Sequence, residues 1–262
     1  MKRAEKEYEK LQSELDRRKL KRRKDDDEFK VVEGVIDPPT LKILYKLLNR
    51  GKLNALYGAI STGKEANVYL GFDAEDNPVA VKIYRVSTAE TDFMIEYIVG
   101  DPRFKKVTKR SRALIPQWAM KEFKNLQRYY KAGIRVPRPI AIERNVLIME
   151  FIGDLETTIA APLLKQVEIP SPADTFNQII GMIETGYTKA GLVHADLSEF
   201  NILWQNGPVF IDVSQAVLIA HDNAKKYLLR DIQNIIHFFK KLDVDTEEPE
   251  VIVDYIISAG ED

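Results

Sequence analysis

The stretch Leu192-Val193-His194-Ala195-Asp196-Leu197-Ser198-Glu199-Phe200-Asn201 decides the fold, because it has the form of a protein-kinase catalytic loop, an aspartate followed five positions on by an asparagine. Such a site needs a second acidic residue downstream. Asp212 stands there, after the apolar run Val209-Phe210-Ile211, where a buried strand would carry its side chain to the sheet edge and into the site. Upstream, Val79-Ala80-Val81-Lys82 has the form of the strand lysine that pairs with nucleotide phosphates. A lysine ending a strand is ordinarily surface. This one is read as functional because the helix expected over 115–131 offers Glu122 as a carboxylate partner to hold the ammonium in place.

Phosphoryl transfer explains these residue types. The transferring group spreads charge over several oxygens, so catalysis is mostly alignment plus neutralisation by cations. A hard ion such as Mg²⁺ or Mn²⁺ takes oxygen ligands, and a carboxylate with an amide carbonyl facing the phosphates of ATP makes a suitable shell. Asn201 and Asp212 supply that pair. Asp196 has another role, because a solvated carboxylate is too acidic to be a strong base toward a hydroxyl. It is assigned to orienting the nucleophile and accepting its proton late.

Gly58-Ala59-Ile60-Ser61-Thr62-Gly63-Lys64-Glu65 is a near miss for a nucleoside-triphosphatase P-loop, which ends in Ser or Thr and runs straight into a helix. Here Ala66-Asn67-Val68-Tyr69-Leu70-Gly71-Phe72 continues as an amphipathic strand, so the segment is expected to be a hairpin lid. Its small residues let backbone N–H groups approach phosphates, and Ser61, Thr62 and Lys64 beside Gly63 add donors. An ordinary turn is the plainer reading of the loop alone. Glu122 is the expected carboxylate partner of Lys82, with Glu96 and Glu143 as competitors. Ile148-Met149-Glu150-Phe151-Ile152-Gly153 reads as a hinge between lobes, with backbone groups of Glu150 and Ile152 on the adenine edge and Met149 beside it, or equally as a buried strand with Met149 as core filler.

Composition agrees with an enzyme of one large domain or two lobes: 262 residues support a core that needs no staples. With 0 Cys and 3 His there is no disulfide, and a structural zinc site is disfavoured. The start Met1-Lys2-Arg3-Ala4-Glu5-Lys6 lacks a signal-like apolar region, and no apolar run approaches the roughly 18 residues of a membrane span. The expectation is a soluble, cytoplasmic protein without a membrane partner. Lys+Arg (39) and Asp+Glu (40) nearly cancel, so bulk charge indicates neither a nucleic-acid nor a membrane binder. Locally, RRKLKRRK over 17–24 followed by Asp25-Asp26-Asp27-Glu28 is either a solvated tail or a docking arm for RNA or an acidic partner. Lys105, Lys106, Lys109, Arg110 and Arg112 allow the same two readings.

Three parts are expected: a charged tail or helix over 1–34, an N-terminal lobe over 35–151 and a reduced C-terminal catalytic lobe over 152–262. Asp37-Pro38-Pro39-Thr40 starts a helix that stops at Gly51. Strands are expected at 54–60, 66–72, 79–84, 134–142 and 146–151, and helices at 115–131, 172–189, 223–242 and 249–259. Residues 87–101 lack strong patterning and suit a flexible or nucleotide-ordered insertion. This is an α+β, two-lobed kinase-like fold, with a small antiparallel sheet in one lobe and mainly helices in the other.

Ser61-Thr62-Gly63-Lys64-Glu65-Ala66-Asn67-Val68-Tyr69, the HADLSEFNIL stretch and Ile211-Asp212-Val213-Ser214-Gln215-Ala216 together resemble the RIO family of atypical protein kinases, in its RIO-one branch. The similarity covers roughly residues 35 to 260, and the N-terminal part is too short for the winged-helix domain of the second branch. It implies serine/threonine kinase activity with autophosphorylation, ATP and a divalent metal. It also implies Asp196 as catalytic aspartate, Asn201 and Asp212 as metal ligands and Lys82 on the phosphates, with work on the pre-ribosomal small subunit, both RNA and protein. Departures from ordinary protein kinases bear on the substrate: Ala195 and Ser198 replace Arg and Lys, Asp212-Val213-Ser214 replaces Asp-Phe-Gly, and no Ala-Pro-Glu follows. An ATPase switch through a phosphorylated Asp212 is therefore an alternative. A small-molecule kinase of the aminoglycoside or choline type is another, opposed by the lid, and a catalytically silent scaffold is opposed by the intact Lys82, Asp196, Asn201 and Asp212. Oligomeric state is not legible.

Overall fold

Period-two alternation along Val79-Ala80-Val81-Lys82-Ile83-Tyr84 builds the centre of the first lobe. In the computed structural model, which describes residues 36–85, 91–99, 101–104 and 111–260, this segment is the middle strand of a five-stranded antiparallel sheet. Strands β1 (Ala55–Thr62), β2 (Ala66–Phe72), β3 (Pro78–Tyr84), β4 (Pro139–Glu143) and β5 (Val146–Glu150) run in the order β1-β2-β3-β5-β4. Val79, Val81 and Ile83 share one face with Val146 and Ile148 and cluster with Leu44 and Leu47 of helix α1 (Pro38–Asn49). Ala80, Lys82 and Tyr84 take the other face, as do Leu147 and Met149 of β5. Burying each such aliphatic side chain contributes about 1.5–3 kcal/mol, so the alternation locks register and aims Lys82 inward.

Helix α1 starts as expected. Asp37 accepts the Thr40 N–H at 3.1 Å and the Thr40 hydroxyl at 2.7 Å, and Pro38 occupies the first turn. Asn145 ties it to the sheet by donating to Thr40 Oγ1 and the Tyr84 carbonyl, each at 2.9 Å. The basic tail of 17–24, the acidic run after it and Lys105, Lys106, Lys109 and Arg110 lie outside the described residues, as does the side chain of Arg112.

Three expectations shift. The unpatterned segment 87–101 holds a helix, α2 (Thr91–Ile98), with Met94, Tyr97 and Ile98 buried; eight residues are too few turns for an apolar period to declare itself. Helix α3 (Ser111–Lys131) begins before Ile115 and carries Pro116 inside it. The strand expected from Ile134 shrinks to β4, because Pro137 and Pro139 bring no N–H to a ladder. The Arg135 and Arg138 carbonyls instead accept from Phe210 N and Glu150 N at 3.0 and 2.8 Å.

In the second lobe, α4 (Pro172–Thr185) gives way to a π turn at Gly186–Ala190, which Gly191 ends at φ 64 before β6 (Leu192–Val193). β6 pairs with β9 (Val217–Leu218), and β7 (Ile202–Trp204) pairs with β8 (Pro208–Phe210), so two short ribbons present the loops between them. Helices α5 (Ala224–Lys240) and α6 (Pro249–Ala259) close the lobe, α5 through Leu228, Ile232, Ile235 and Phe239 at helical spacing. The result is the two-lobed α+β fold. Among the described residues no helix is long and apolar enough to cross a membrane.

Candidate active site

A cavity of about 550 Å³ separates the lobes. Its walls are apolar at one end, with Ile60, Val68, Ala80, Met149, Ile152 and Ile211, and charged at the other, with Lys82, Glu122, Asn201 and Asp212. That division suits a ligand with a flat apolar ring at one end and anionic groups at the other. Ser61, Gly63 and Lys64 also line it, as does Glu150. Thr62, the last residue of β1, does not. The lid is the expected hairpin: Gly63 N–H bonds the Ala66 carbonyl at 3.0 Å, and β2 follows where a P-loop would start a helix.

Lys82 Nζ donates to Glu122 Oε1 at 3.0 Å and to Asp212 Oδ1 at 2.9 Å. Burial alone would lower this ammonium, but the Asp212 and Glu122 carboxylates outweigh it and hold the lysine charged. Asp212, its side chain 45 % exposed toward the cavity, is kept below the ordinary carboxylate range by Lys82, against the opposing effect of burial. Glu122 differs: its side chain is 1 % exposed, its Oε2 has no hydrogen-bond partner, and burial pushes it up to about 7 despite Lys82. One cation between two carboxylates leaves one negative charge uncompensated, and the less solvated carboxylate bears the cost. The competing glutamates are committed elsewhere. Glu96 accepts the Tyr227 hydroxyl at 2.6 Å, and Glu143 pairs with Lys46 of α1 at 2.6 Å and with Arg50, which caps that helix, at 3.1 Å.

Asp196 does not line the cavity but joins it through Asn201, whose Nδ2 donates to the Asp196 carbonyl at 2.7 Å and to its Oδ2 at 3.1 Å. Gln215 Nε2 donates to the same Oδ2 at 3.1 Å. Burial, with the charge of Asp212, raises Asp196 above its ordinary value. Asn201 spends its amide hydrogens on Asp196, which leaves Oδ1. Asp212 spends Oδ1 on Lys82 and on the Ser214 hydroxyl at 2.9 Å, which leaves Oδ2. Asn201 and Asp212, which both line the cavity, would offer oxygen ligands of the kind that a hard ion such as Mg²⁺ takes. Among the described residues no three His, Cys, Asp or Glu side chains gather as a self-sufficient metal cage.

The catalytic loop is held from behind by residues that no motif announces. Asp231 of α5 accepts the Ala195 N–H at 2.7 Å and the Leu197 N–H at 2.9 Å, Asn234 donates to the Leu197 carbonyl at 3.1 Å, and Arg230 donates to the Ala195 carbonyl. Ala195 sits at φ 64, a conformation an alanine keeps only when its surroundings over-determine it. Burial pushes Asp231 up to about 7 even though both backbone bonds favour the carboxylate. His194, pushed by burial down to about 4, is neutral; its Nε2 lies 3.1 Å from the Ile211 carbonyl, which only accepts, so Nε2 carries the proton. That bond joins the catalytic loop to the strand leading to Asp212.

A second set lies on α3. Lys121 Nζ donates to the Ser214 and Ala216 carbonyls at 2.8 and 2.5 Å, and Asn125 Nδ2 to the Val213 and Ala216 carbonyls at 2.8 and 3.0 Å. Both side chains are fully buried, and burial holds Lys121 well below the ordinary lysine range. At the hinge, Arg135 grips the Glu150 carboxylate with two bonds of 3.0 Å. Glu150 N–H is taken by the Arg138 carbonyl at 2.8 Å, and the Ile152 carbonyl by Ala161 N–H at 2.9 Å.

Against known proteins, the RIO domain family matches residues 67–252. The chain is 41 % identical to the "RIO-type serine/threonine-protein kinase Rio1" of Haloferax volcanii over 227 residues, covering 86 % of this chain and 77 % of that protein. It is 40 % identical to human "Serine/threonine-protein kinase RIO1" over 226 residues, covering 84 % of this chain and 39 % of the relative. The relative in Encephalitozoon cuniculi, a "Probable serine/threonine-protein kinase RIO1 homolog", is 41 % identical and 64 % covered, so the chain spans well under the full length of these eukaryotic relatives. Among solved structures, the "Rio2 kinase-ADP/Mg2+-phosphoaspartate complex from Chaetomium thermophilum" superposes with a TM-score of 0.64 at 26 % identity, covering 84 % of this chain and 66 % of that one. Motifs, fold and relatives agree: the chain belongs to the RIO family of atypical serine/threonine protein kinases.

Proposed function

We propose that this protein binds ATP with Mg²⁺ in the interlobe cavity and transfers the γ-phosphoryl group to a serine or threonine hydroxyl, including its own. One observation carries the reading: Lys82, Asn201 and Asp212, drawn from three separate stretches of chain, line the same cavity, and Asp196 is bonded to Asn201 beside it. The adenine lies against Ala80 and Met149. Because one backbone group of Glu150 and one of Ile152 is already bonded, the base edge is read by the other of each, the Glu150 carbonyl and the Ile152 N–H. Ser61, Gly63 and Lys64 cover the phosphates, and Lys82, anchored by Glu122, neutralises them. Asn201 Oδ1 and Asp212 Oδ2 hold the metal, which when bound supplies neutralisation of the developing phosphate charge. Asp196, fixed by Asn201 and Gln215, aligns the acceptor hydroxyl and receives its proton, which its raised pKa favours.

A second reading concerns the same site. The Asp212 carboxylate lines the cavity with just under half of its side chain exposed, and the related complex in Chaetomium thermophilum contains a phosphoaspartate by its own description. In this reading an Asp212 oxygen attacks the γ-phosphorus, the bond to the ADP oxygen breaks, and water later hydrolyses the acyl phosphate, giving an ATPase switch. Family resemblance extends the proposal to maturation of the small ribosomal subunit, with pre-ribosomal RNA and protein as partners; the cytoplasm as the compartment is the expectation from the sequence. Incubation with radiolabelled ATP and Mg²⁺ separates the versions. Acid-stable label on protein supports hydroxyl transfer, label lost to hydroxylamine supports the aspartyl intermediate, and neither label nor released phosphate would reject both.

A further inference from the structure

The buried pair Lys121 and Asn125 has no place in the scheme above. One helical turn apart on α3, they share a face, and the four hydrogen bonds they donate all end on the carbonyls of Val213, Ser214 and Ala216. Those carbonyls belong to the turn that follows Asp212, closed by the Ala216 N–H on the Val213 carbonyl at 3.2 Å. Asp212 itself is at φ 53, strained for a residue with a side chain, and must be held there by its neighbours. The turn also carries Ser214 and Gln215, whose side chains bond Asp212 and Asp196.

A fully buried amino group is costly unless its donors are satisfied, and a hydrophobe of similar shape would fill the same space without that cost. Packing therefore does not account for a lysine here, whereas holding a turn does. The arrangement extends outward: Arg103 donates to Asn125 Oδ1 at 2.8 Å and is paired with buried Asp101, which fixes the Asn125 amide with its hydrogens toward the turn. Lys121 is also the immediate neighbour of Glu122. Consecutive residues of one helix thus grip the phosphate lysine on one side and the turn after Asp212 on the other.

We propose that Lys121 and Asn125 are positioning residues that clamp the Val213–Ala216 turn to α3, so that Asp212 and Lys82 are set by the same helix and the metal-binding geometry is present without an activation segment. The inference rests on the reading of Asp212 as a metal ligand. With the clamp, α3 and the metal-binding turn move as one body. Without it, Asp212 loses its strained backbone conformation, and metal affinity falls while the nucleotide's base and lid contacts stay.

The test measures binding of a fluorescent ATP analogue with and without Mg²⁺, alongside kcat, for wild type, Lys121→Met and Asn125→Ala. Metal-free affinity should stay near wild type in both. The gain in affinity on adding Mg²⁺ should shrink roughly tenfold or more in Lys121→Met, and less in Asn125→Ala, with kcat falling in step. A folded Lys121→Met protein with the wild-type magnesium gain overturns the clamp. If Lys121→Met does not fold, Asn125→Ala decides, since it removes two of the four bonds to the turn, with the Arg103 bond, while leaving the Lys121 amino group in place. Wild type that shows the magnesium gain but transfers no phosphate rejects the proposed activity and leaves the clamp to be judged on binding alone. Wild type with no magnesium gain rejects the clamp too.

Discussion

Lys82 Nζ lies 2.9 Å from Asp212 Oδ1 across 130 residues of chain. The sheet supplies the lysine by strand alternation, the second lobe supplies the aspartate from a strained turn, and Glu122 on α3 completes a triad with one charge too many on the acidic side. That triad, more than any single motif, ties the two lobes into one site.

Replacing Lys82 by Met removes the only cation in the triad and leaves two carboxylates facing each other. Phosphoryl transfer should fall by about 10²–10³-fold, the usual cost of deleting a pre-aligned charge at a transition state. Steady-state kinetics checks this, and a loss under fivefold would place the phosphates elsewhere.

Glu122 gives the molecule a pH signature. Its folded value of about 7 lies above the 4.5 it has when free, so the folded state binds its proton more tightly than the unfolded state. The resulting stability is present below about 4.5 and is lost as pH rises through 7. Glu122→Gln abolishes that titration. Its urea midpoint should therefore move in its favour, relative to wild type, as pH is raised across this window. A difference that stays flat would mean that Glu122 is ionised throughout.

Asp196→Asn should stop turnover and spare nucleotide binding. The amide keeps an oxygen for Asn201 and Gln215, so the loop geometry survives, while the proton acceptor is gone. A drop in kcat of about 10²–10⁴-fold is expected, with nucleotide Kd within about threefold of wild type. A large affinity loss would assign Asp196 to the metal instead.

Most of this site was legible because its chemistry is written in contiguous motifs. The strand that carries Lys82 and the strand ending before Asp212 each combine an apolar run with one charged residue out of pattern. Glu122 was chosen from three glutamates by its place on a helix after β3, and only the fold shows Glu96 and Glu143 engaged elsewhere. Lys121, Asn125 and Asp231 were not legible. Each is a polar residue in a helix, where a solvated face is the ordinary reading, and its burial depends on a partner loop some 34 to 95 residues away. The strand expected from Ile134 failed for a local reason that the prolines at 137 and 139 already contained.

Asp231 should prove essential to stability. Asp231→Ala leaves the N–H groups of Ala195 and Leu197 buried without acceptors, at about 1–3 kcal/mol each. Thermal or urea unfolding should show a loss of that order, and kcat should fall as Ala195 relaxes from its left-handed conformation. Unchanged stability would mean that water replaces the carboxylate.

Gly153→Ala probes the far end of the cavity. A methyl group there would collide with the Ile159 carbonyl and meet Phe151 at 2.7 Å and the Ala160 Cα at 2.9 Å, two of the three being backbone atoms that cannot swing aside. Gly153 and Ala160 form an isolated bridge, and Ala160 and Ala161 line the cavity beside Ile152. To admit the methyl the 154–160 loop must lift, pulling the Ala161 N–H from the Ile152 carbonyl. Nucleotide affinity should then fall by about tenfold, the equivalent of 1.4 kcal/mol, equally with and without Mg²⁺ because the metal end is untouched. Binding of a fluorescent ATP analogue under both conditions checks this. A loss confined to the magnesium-bound form would contradict the placement of the base at this end.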